Sequence, residues 1–511
     1  LKISAVKFYT LILPAQTDKR MIKSYIKKHD QMSFEAKLEF PANGDSGKQN
    51  DSNFDIYLFL PSGLDINKHN FTNRDFYNSL KTNIRLTTPF YPLSNITGDE
   101  NSPFNRLKNS IENHLSMLTE ETKAEYEIQV KRFCSVFGVA LRHEVNRILS
   151  TKNAEEREQS VANFAKDIKK IRKQYKSLRT KLNSSSSGND TFAVYQFADE
   201  YQSLLVEKHI FTLISRLEKK EEDIGKPDEL LDKLVLDEMN YRTEMGYPSV
   251  AKTGRSNEDV LHRSGRLKKF IESNLFLNTD TKKEGVLVEQ ILFSIAAGIA
   301  MVFATGVAFA SQMIYGNLSL PFFIALVISY MFKDRIKELI RIYLDKKHQK
   351  MFYDFKTKIY PQNKKQIGYL KESFHFEQHS HLPAEILDIR NRMRSTEITE
   401  ESLGEKIIHY RTKVSIMNTK ETIKDFTGIT QILRLNISDF TKKMDDPEKE
   451  VFIRTKKGFK RAFADRVYHI NMILTCSGDA DFEVKPYKLI ANRKGIKRIE
   501  KFMVNNKMKK N

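Results

Sequence analysis

Apolar residues recur along this chain in three patterns, and each implies a different kind of element. Near the start they alternate in twos. Residues 34–40 (FEAKLEF) and 54–60 (FDIYLFL) each put apolar side chains on one face of a strand, and residues 83–91 form a third candidate. With the polar loop 43–52 between the first two, residues 1–100 are expected to form a small antiparallel, β-rich domain. From residue 103 to about 274 the spacing changes to threes and fours. Tyr126, Val130, Phe133, Phe137, Leu141, Val145 and Ile148 make one helical stripe, and Val161, Phe164, Ile168, Ile171, Tyr175, Leu178 and Leu182 keep a three-four alternation. After the loop 183–190 (NSSSSGND), Phe197, Tyr201, Leu204 and Phe211 resume the pattern. A short polar loop between matching amphipathic stretches predicts an antiparallel helical hairpin, with self-association through a coiled coil as the alternative. Pro227 opens a further helix at 228–239. Ser256 caps another, which carries Arg263, Arg266, Lys268 and Lys269 on a face that suits either anionic lipid or solvent. Residues 101–285 therefore read as a helical, coiled-coil-like region.

The third pattern is an unbroken apolar run. Residues 290–332 contain no Asp, Glu, Lys or Arg, although charged residues make up 29% of the chain. A single bilayer span needs about 20 residues, so this length suits two spans joined by a turn. Residues 286–332 are expected to be a transmembrane helical hairpin. In its first arm Ala296, Ala300, Ala304 and Ala308 recur every four residues with Gly298 and Gly306 beside them, as helices packing in lipid require, whether the partner lies in cis or in trans. Gly316 and Asn317 mark the turn. The second arm starts with Ser319 as N-cap and Pro321 in the first turn. It is short, rising only ~22 Å, so Lys333 and Arg335 must snorkel, or the hairpin is tilted or re-entrant. Lys282 and Lys283 precede the run, Lys333, Arg335, Lys337 and Arg341 follow it, and the turn is uncharged. Positive flanks stay inside, which makes this an integral membrane protein with both termini cytoplasmic. Tyr315 and Tyr330 are candidate interfacial anchors. The competing reading, the buried centre of a soluble helical domain, requires cover on all sides of both helices.

Beyond the run, Ile336, Ile340, Tyr343, Leu344, Met351 and Phe355 extend a juxtamembrane helix over 333–360, ending before Pro361. Residues 361–511 read as a basic α+β domain. Its strands are 366–378, 405–416, 467–475 and 482–490, the last an edge strand because of Pro486, and its helix is about 429–443. The formal net charge is +20, and two segments hold nearly all of it: 333–371 carries +8 and 454–511 carries +11. Anionic lipid head groups are the expected partner, with nucleic acid the lesser alternative for the tail, where few aromatics are available for base stacking. Cys134 and Cys476 give neither a disulfide framework nor a zinc spacing, which fits a reducing compartment. The first residue is Leu, as in a truncated chain or one with an unusual start. The apolar run 8–15 is too short for a signal peptide and lacks a small-x-small site after it.

Chemistry is sparse. Residues 44–48 (GDSGK) resemble a phosphate loop, but Ala42 and Gln49 stand where its spacing needs Gly and Ser or Thr. The one dense donor group is His375-Phe376-Glu377-Gln378-His379-Ser380-His381. On a strand, His375, Glu377, His379 and His381 share a face, and imidazoles with a carboxylate ligate zinc or iron. One strand rarely closes a tetrahedral site alone, so a solvated polar edge is the default and no metal, cofactor or catalytic residue is assigned. The overall expectation is an α+β membrane protein acting as a non-catalytic scaffold or sensor. A membrane-tethered enzyme or nucleic-acid effector is the alternative, and an oligomeric channel the third.

Overall fold

The computed structural model describes residues 23–41, 49–183, 189–218, 226–251, 253–254, 256–316, 319–361, 366–393, 404–417, 427–456, 458–478 and 482–502. Three strands open it: β1 (Lys23–Lys28), β2 (Ser33–Pro41) and β3 (Gln49–Leu60). Helix α1 (Asn73–Ser79) and strand β4 (Leu80–Leu86) lead into six helices, α2 (Pro103–Ser116), α3 (Glu120–Ser150), α4 (Ala154–Asn183), α5 (Asn189–Glu218), α6 (Lys226–Glu244) and α7 (Glu258–Glu272). Strand β5 (Asn278–Lys283) precedes two long helices, α8 (Val286–Tyr315) and α9 (Leu320–Met351). Then come β6 (Phe355–Tyr360), β7 (Gly368–Glu377), α10 (Ala384–Arg392), β8 (Lys406–Met417), β9 (Gly428–Asn436) and α11 (Ser438–Thr441). The chain closes with β10 (Glu448–Thr455), β11 (Gly458–Asp465), β12 (Tyr468–Ser477), β13 (Phe482–Asn492) and β14 (Gly495–Lys501). The fold is α+β, with eleven α-helices and antiparallel sheets among the described residues, in two compact units.

The helical unit is built from α2 to α7. The sequence stripes become its core: Tyr126, Phe133, Phe137, Leu141, Ile168, Ile171 and Tyr175 are all buried. Helices α4 and α5 run antiparallel, and Tyr175 and Tyr195 stack at 4.9 Å while each hydroxyl donates to the other's carbonyl. A charged group lies buried beside them. Arg172 donates to Asp199 at 2.9 Å and to Glu238 at 3.0 Å, and the hydroxyls of Tyr241 and Tyr247 donate to the other Asp199 oxygen. Burial works against ionised Glu238, but Arg172 outweighs it and pulls the carboxyl down to about 2.

In the second unit an eight-stranded antiparallel sheet runs in the order β14-β13-β12-β3-β8-β7-β6-β5. A second sheet has the order β1-β2-β9-β4. Strands from before and after the hairpin share both sheets. β3, from before the hairpin, lies at the centre of the large sheet between β8 and β12, while β9, from after it, lies between β2 and β4. Hence β2 and β3, expected to pair, belong to different sheets; alternation gives a strand's faces but not its partner. The two sheets meet where Ile496 donates to the Gln31 carbonyl at 2.7 Å, beside Gly495, whose φ of +121° and close approach to that carbonyl leave no room for a side chain.

Three other expectations are corrected. The helix expected at about 429–443 is strand β9 followed by the single-turn α11. Ile429, Leu433 and Ile437 are four apart, but Leu435 completes an alternation in twos, and all four are buried. β13 is not an edge, since it pairs with both β12 and β14. Pro486 is tolerated because its carbonyl accepts from Phe502, just past the end of β14, so its nitrogen faces the point where that ladder stops. The helix expected to reach residue 360 ends at Met351, and β6 follows. Residues 8–15, most of the loop 43–52 including 44–48, and most of the loop 183–190 lie outside the described residues.

Helices α8 and α9 are spliced between two strands that pair with each other, with Asn278 opposite Tyr360 and Lys283 opposite Phe355. Just beyond the ladder, Glu284 donates to the Asp354 carbonyl at 3.1 Å. Asp354 is itself tied to the sheet, accepting from the Tyr77 hydroxyl at 2.9 Å and the Phe374 amide at 2.8 Å. The helices pack antiparallel, since Ser329 donates to the Ala304 carbonyl at 3.2 Å and the Arg341 guanidinium lies 4.6 Å from the Phe293 ring. Ala296 and Ala300 are buried in this seam. Ser319 caps α9 through the Phe322 amide, as expected. Among the described residues one helix, α8, is long and apolar enough to cross a membrane. α9 falls short because Lys333, Asp334, Arg335 and Lys337 enter it within its first five turns.

Candidate functional site

Among the described residues, side chains able to hold a cation together come from neighbouring strands of the large sheet. Directly opposite residues of an antiparallel pair project to the same face. Because His375 lies opposite His409, and His409 opposite Tyr57, these three share a face; so do Glu377, two residues along β7, and Asp55, two along β3. The intervening residues Phe374, Tyr410 and Ile56 turn to the other face and into the core, where Phe374 stacks on Phe76 at 4.3 Å. Alternation alone therefore puts Asp55, Tyr57, His375, Glu377 and His409 on the face opposite Phe374, Tyr410 and Ile56. α10 packs on the polar side through Ile386 and Ile389, against Tyr57, Phe59, Ile407 and Ile473.

His375 Nε2 lies 3.0 Å from Glu377 Oε2 and 3.2 Å from His409 Nδ1. One ligand atom from each of the three residues falls within 4.8 Å of the others. On its far side His409 presents Nε2 to Asp55 Oδ1 at 2.9 Å, and Thr475 donates to the other Asp55 oxygen at 3.2 Å. The Tyr57 ring stacks on His409 at 4.2 Å, which fixes the imidazole plane. Glu377 is held from its other oxygen by the Gln378 amide at 3.2 Å and by His381 Nδ1 at 3.2 Å.

The surroundings set the protonation states. Burial pushes the His375 imidazole down, and the neighbouring His409 adds to this against the pull of Glu377, so the ring stays neutral. Burial works to raise the Glu377 carboxyl, but the Gln378 amide, His375 and His381 together outweigh it and keep the group below its ordinary value. Burial, with Asp55 and Glu377 nearby, raises the Tyr57 phenol and keeps it protonated. Neutral imidazole beside ionised carboxylate is the state in which both serve as cation ligands.

Of the four residues singled out in sequence, the structure brings His375 and Glu377 together. β7 ends at Glu377, and a 3₁₀ turn at His379–His381 breaks the alternation that would have aligned all four. His379 turns toward Glu405, at 3.7 Å, within the buried pair that Glu405 makes with Arg390. His381 reaches Glu377 from the side and is half exposed. Sequence reasoning missed His409 and Asp55. Both lie in stretches read as strands, and the missing information was which strands pair. Against family models, curated proteins and solved structures, nothing matches this chain. The site is therefore read from its own geometry: two imidazole nitrogens and a carboxylate oxygen converging, one imidazole oriented by a second carboxylate.

Proposed function

We propose that the chain is an integral membrane protein anchored by a two-span helical hairpin, α8 and the first half of α9, with both ends of the hairpin on the cytoplasmic side. The observation that carries this reading is an apolar helix covered on one narrow face and flanked by strands paired to each other. In α8, Ala296, Ala300 and Ser311 are buried, while Leu287, Ile291, Val302, Phe309 and Met313 are exposed. A core helix of a soluble domain would be covered all round, whereas lipid is the medium in which such a surface costs nothing. The β5–β6 pairing favours two crossings over one, because hydrogen-bonded neighbours cannot lie on opposite sides of a bilayer.

The antiparallel register sets Lys333 level with Ala300, so the charges of α9 begin while α8 is still apolar. The Lys333 ammonium sits 3.7 Å from the Tyr330 ring, a cation–π contact that offsets part of the cost of a charge at this level of the hairpin. Arg335, Lys337 and Arg341 lie along the half of the hairpin nearer the β5–β6 ladder, and Lys282 and Lys283 lie in β5 itself, a graded basic approach suited to anionic head groups at about 1 kcal/mol for each charge at the surface. The role that fits is a scaffold or sensor: a sheet woven from strands before and after the hairpin is a rigid platform tied to the bilayer. Fractionation tests the anchor. The chain is expected to stay in the membrane pellet through high-salt and alkaline washes and to leave it only with detergent. Release by salt alone would overturn the reading.

A further inference from the structure

We propose that His375, Glu377 and His409 form a binding site for one borderline divalent metal ion of the zinc type, with Asp55 as the residue that orients His409. The proposal is independent of the membrane reading. It starts from the convergence of three ligand atoms. His409 turns Nε2 to Asp55 Oδ1 at 2.9 Å, which leaves Nδ1 on the side of His375. His375 Nε2 lies 3.2 Å from that nitrogen and 3.0 Å from Glu377 Oε2. A cation at the centre can take a lone pair from each of the three atoms.

The dimensions agree. Tetrahedral ligands at about 2.0–2.1 Å from zinc lie about 3.3 Å from one another, close to the two separations observed. Two imidazoles with one carboxylate suit zinc, cobalt or ferrous iron, and disfavour magnesium and calcium, which take oxygen ligands. A carboxylate accepting from the far nitrogen of a ligating histidine is the usual outer support of such sites, and here Asp55 is itself held by Thr475. The Tyr57 ring stacked on His409 limits its rotation. Three protein ligands leave a fourth position for water or for His381, which already lies against Glu377.

The test is titration of purified, detergent-solubilised full-length chain, stripped with chelator, with Zn²⁺ and with Co²⁺. One ion per chain should bind saturably, and the cobalt form should show the intense visible bands of four- or five-coordination, a readout that needs no variant. His375→Gln and His409→Gln should each weaken Zn²⁺ binding at least tenfold, and Asp55→Asn about 10–100-fold. The exposed His69→Gln should change nothing. Circular dichroism of each variant shows whether the fold is kept. Wild-type chain that takes up no ion at one equivalent, a cobalt spectrum that remains six-coordinate, or folded His375→Gln and His409→Gln variants binding as the wild type would each overturn the proposal.

Discussion

His209 is the residue whose titration has the plainest consequence. It is buried in α5, and burial, with Arg142 and Lys208 adding to it, pushes its imidazole down to about 4. Unfolded, the same ring titrates near 6.5. Between those values the unfolded chain binds the extra proton, so stability rises with pH there: the contribution is full above pH 6.5 and is lost as pH falls toward 4. The helical signal of the wild type should therefore melt at lower temperature at pH 5 than at pH 7, and His209→Gln should show a smaller difference between the two. Equal pH dependence in both would contradict this. At the same scale, the candidate metal site shows what single residues reveal in sequence. His375 and Glu377 were visible because they are two apart on one strand. His409 was not, because its neighbourhood depends on β7 pairing with β8, and no local spacing encodes that.

Among elements, the α8–α9 seam was legible in part, since a four-residue alanine repeat fixes one helix face whatever the helix meets, and along it Ala304 and Ala308 are half-buried. Ala296 and Ala300 are buried, as that face requires, and Ser319 caps the returning helix. The glycines beside the stripe behave otherwise. A side chain added at Gly298 or Gly306 would meet open space. Ala300→Leu should accordingly overpack the seam and cost about 1–3 kcal/mol, whereas Gly298→Leu should not destabilise. Thermal unfolding in detergent separates them, and equal melting temperatures for the two variants would remove the seam from the account. The strand β9, misread as a helix, shows the limit of periodicity. Residues four apart fit both periods, and the choice between them was made by packing in the sheet rather than by local preference. The ribbon β10–β11 was missed for the opposite reason. Its residues are nearly all exposed, Phe452, Phe459 and Phe463 included, so no burial pattern marks it.

For the whole molecule, composition and charge indicated a chain with an apolar centre and a basic second half, and said nothing of how the halves combine. That was settled by strand pairing between residues more than 300 positions apart, such as Tyr57 with His409. Joining distant segments is entropically unfavourable until many contacts form together, and for that reason it leaves no trace in short windows of sequence. The result is a sheet whose edge strand β5 and its neighbour β6 hold both ends of the helical hairpin. The central claim is that this hairpin crosses the bilayer twice. Labelling of intact cells with a membrane-impermeant maleimide tests it, in a Cys134→Ser, Cys476→Ser background carrying Tyr315→Cys, Lys282→Cys or Lys356→Cys singly. The account predicts that Tyr315→Cys labels from outside, while Lys282→Cys and Lys356→Cys label only after the membrane is opened. Outside labelling of Lys282→Cys or Lys356→Cys, or a Tyr315→Cys that labels only together with them, would contradict it.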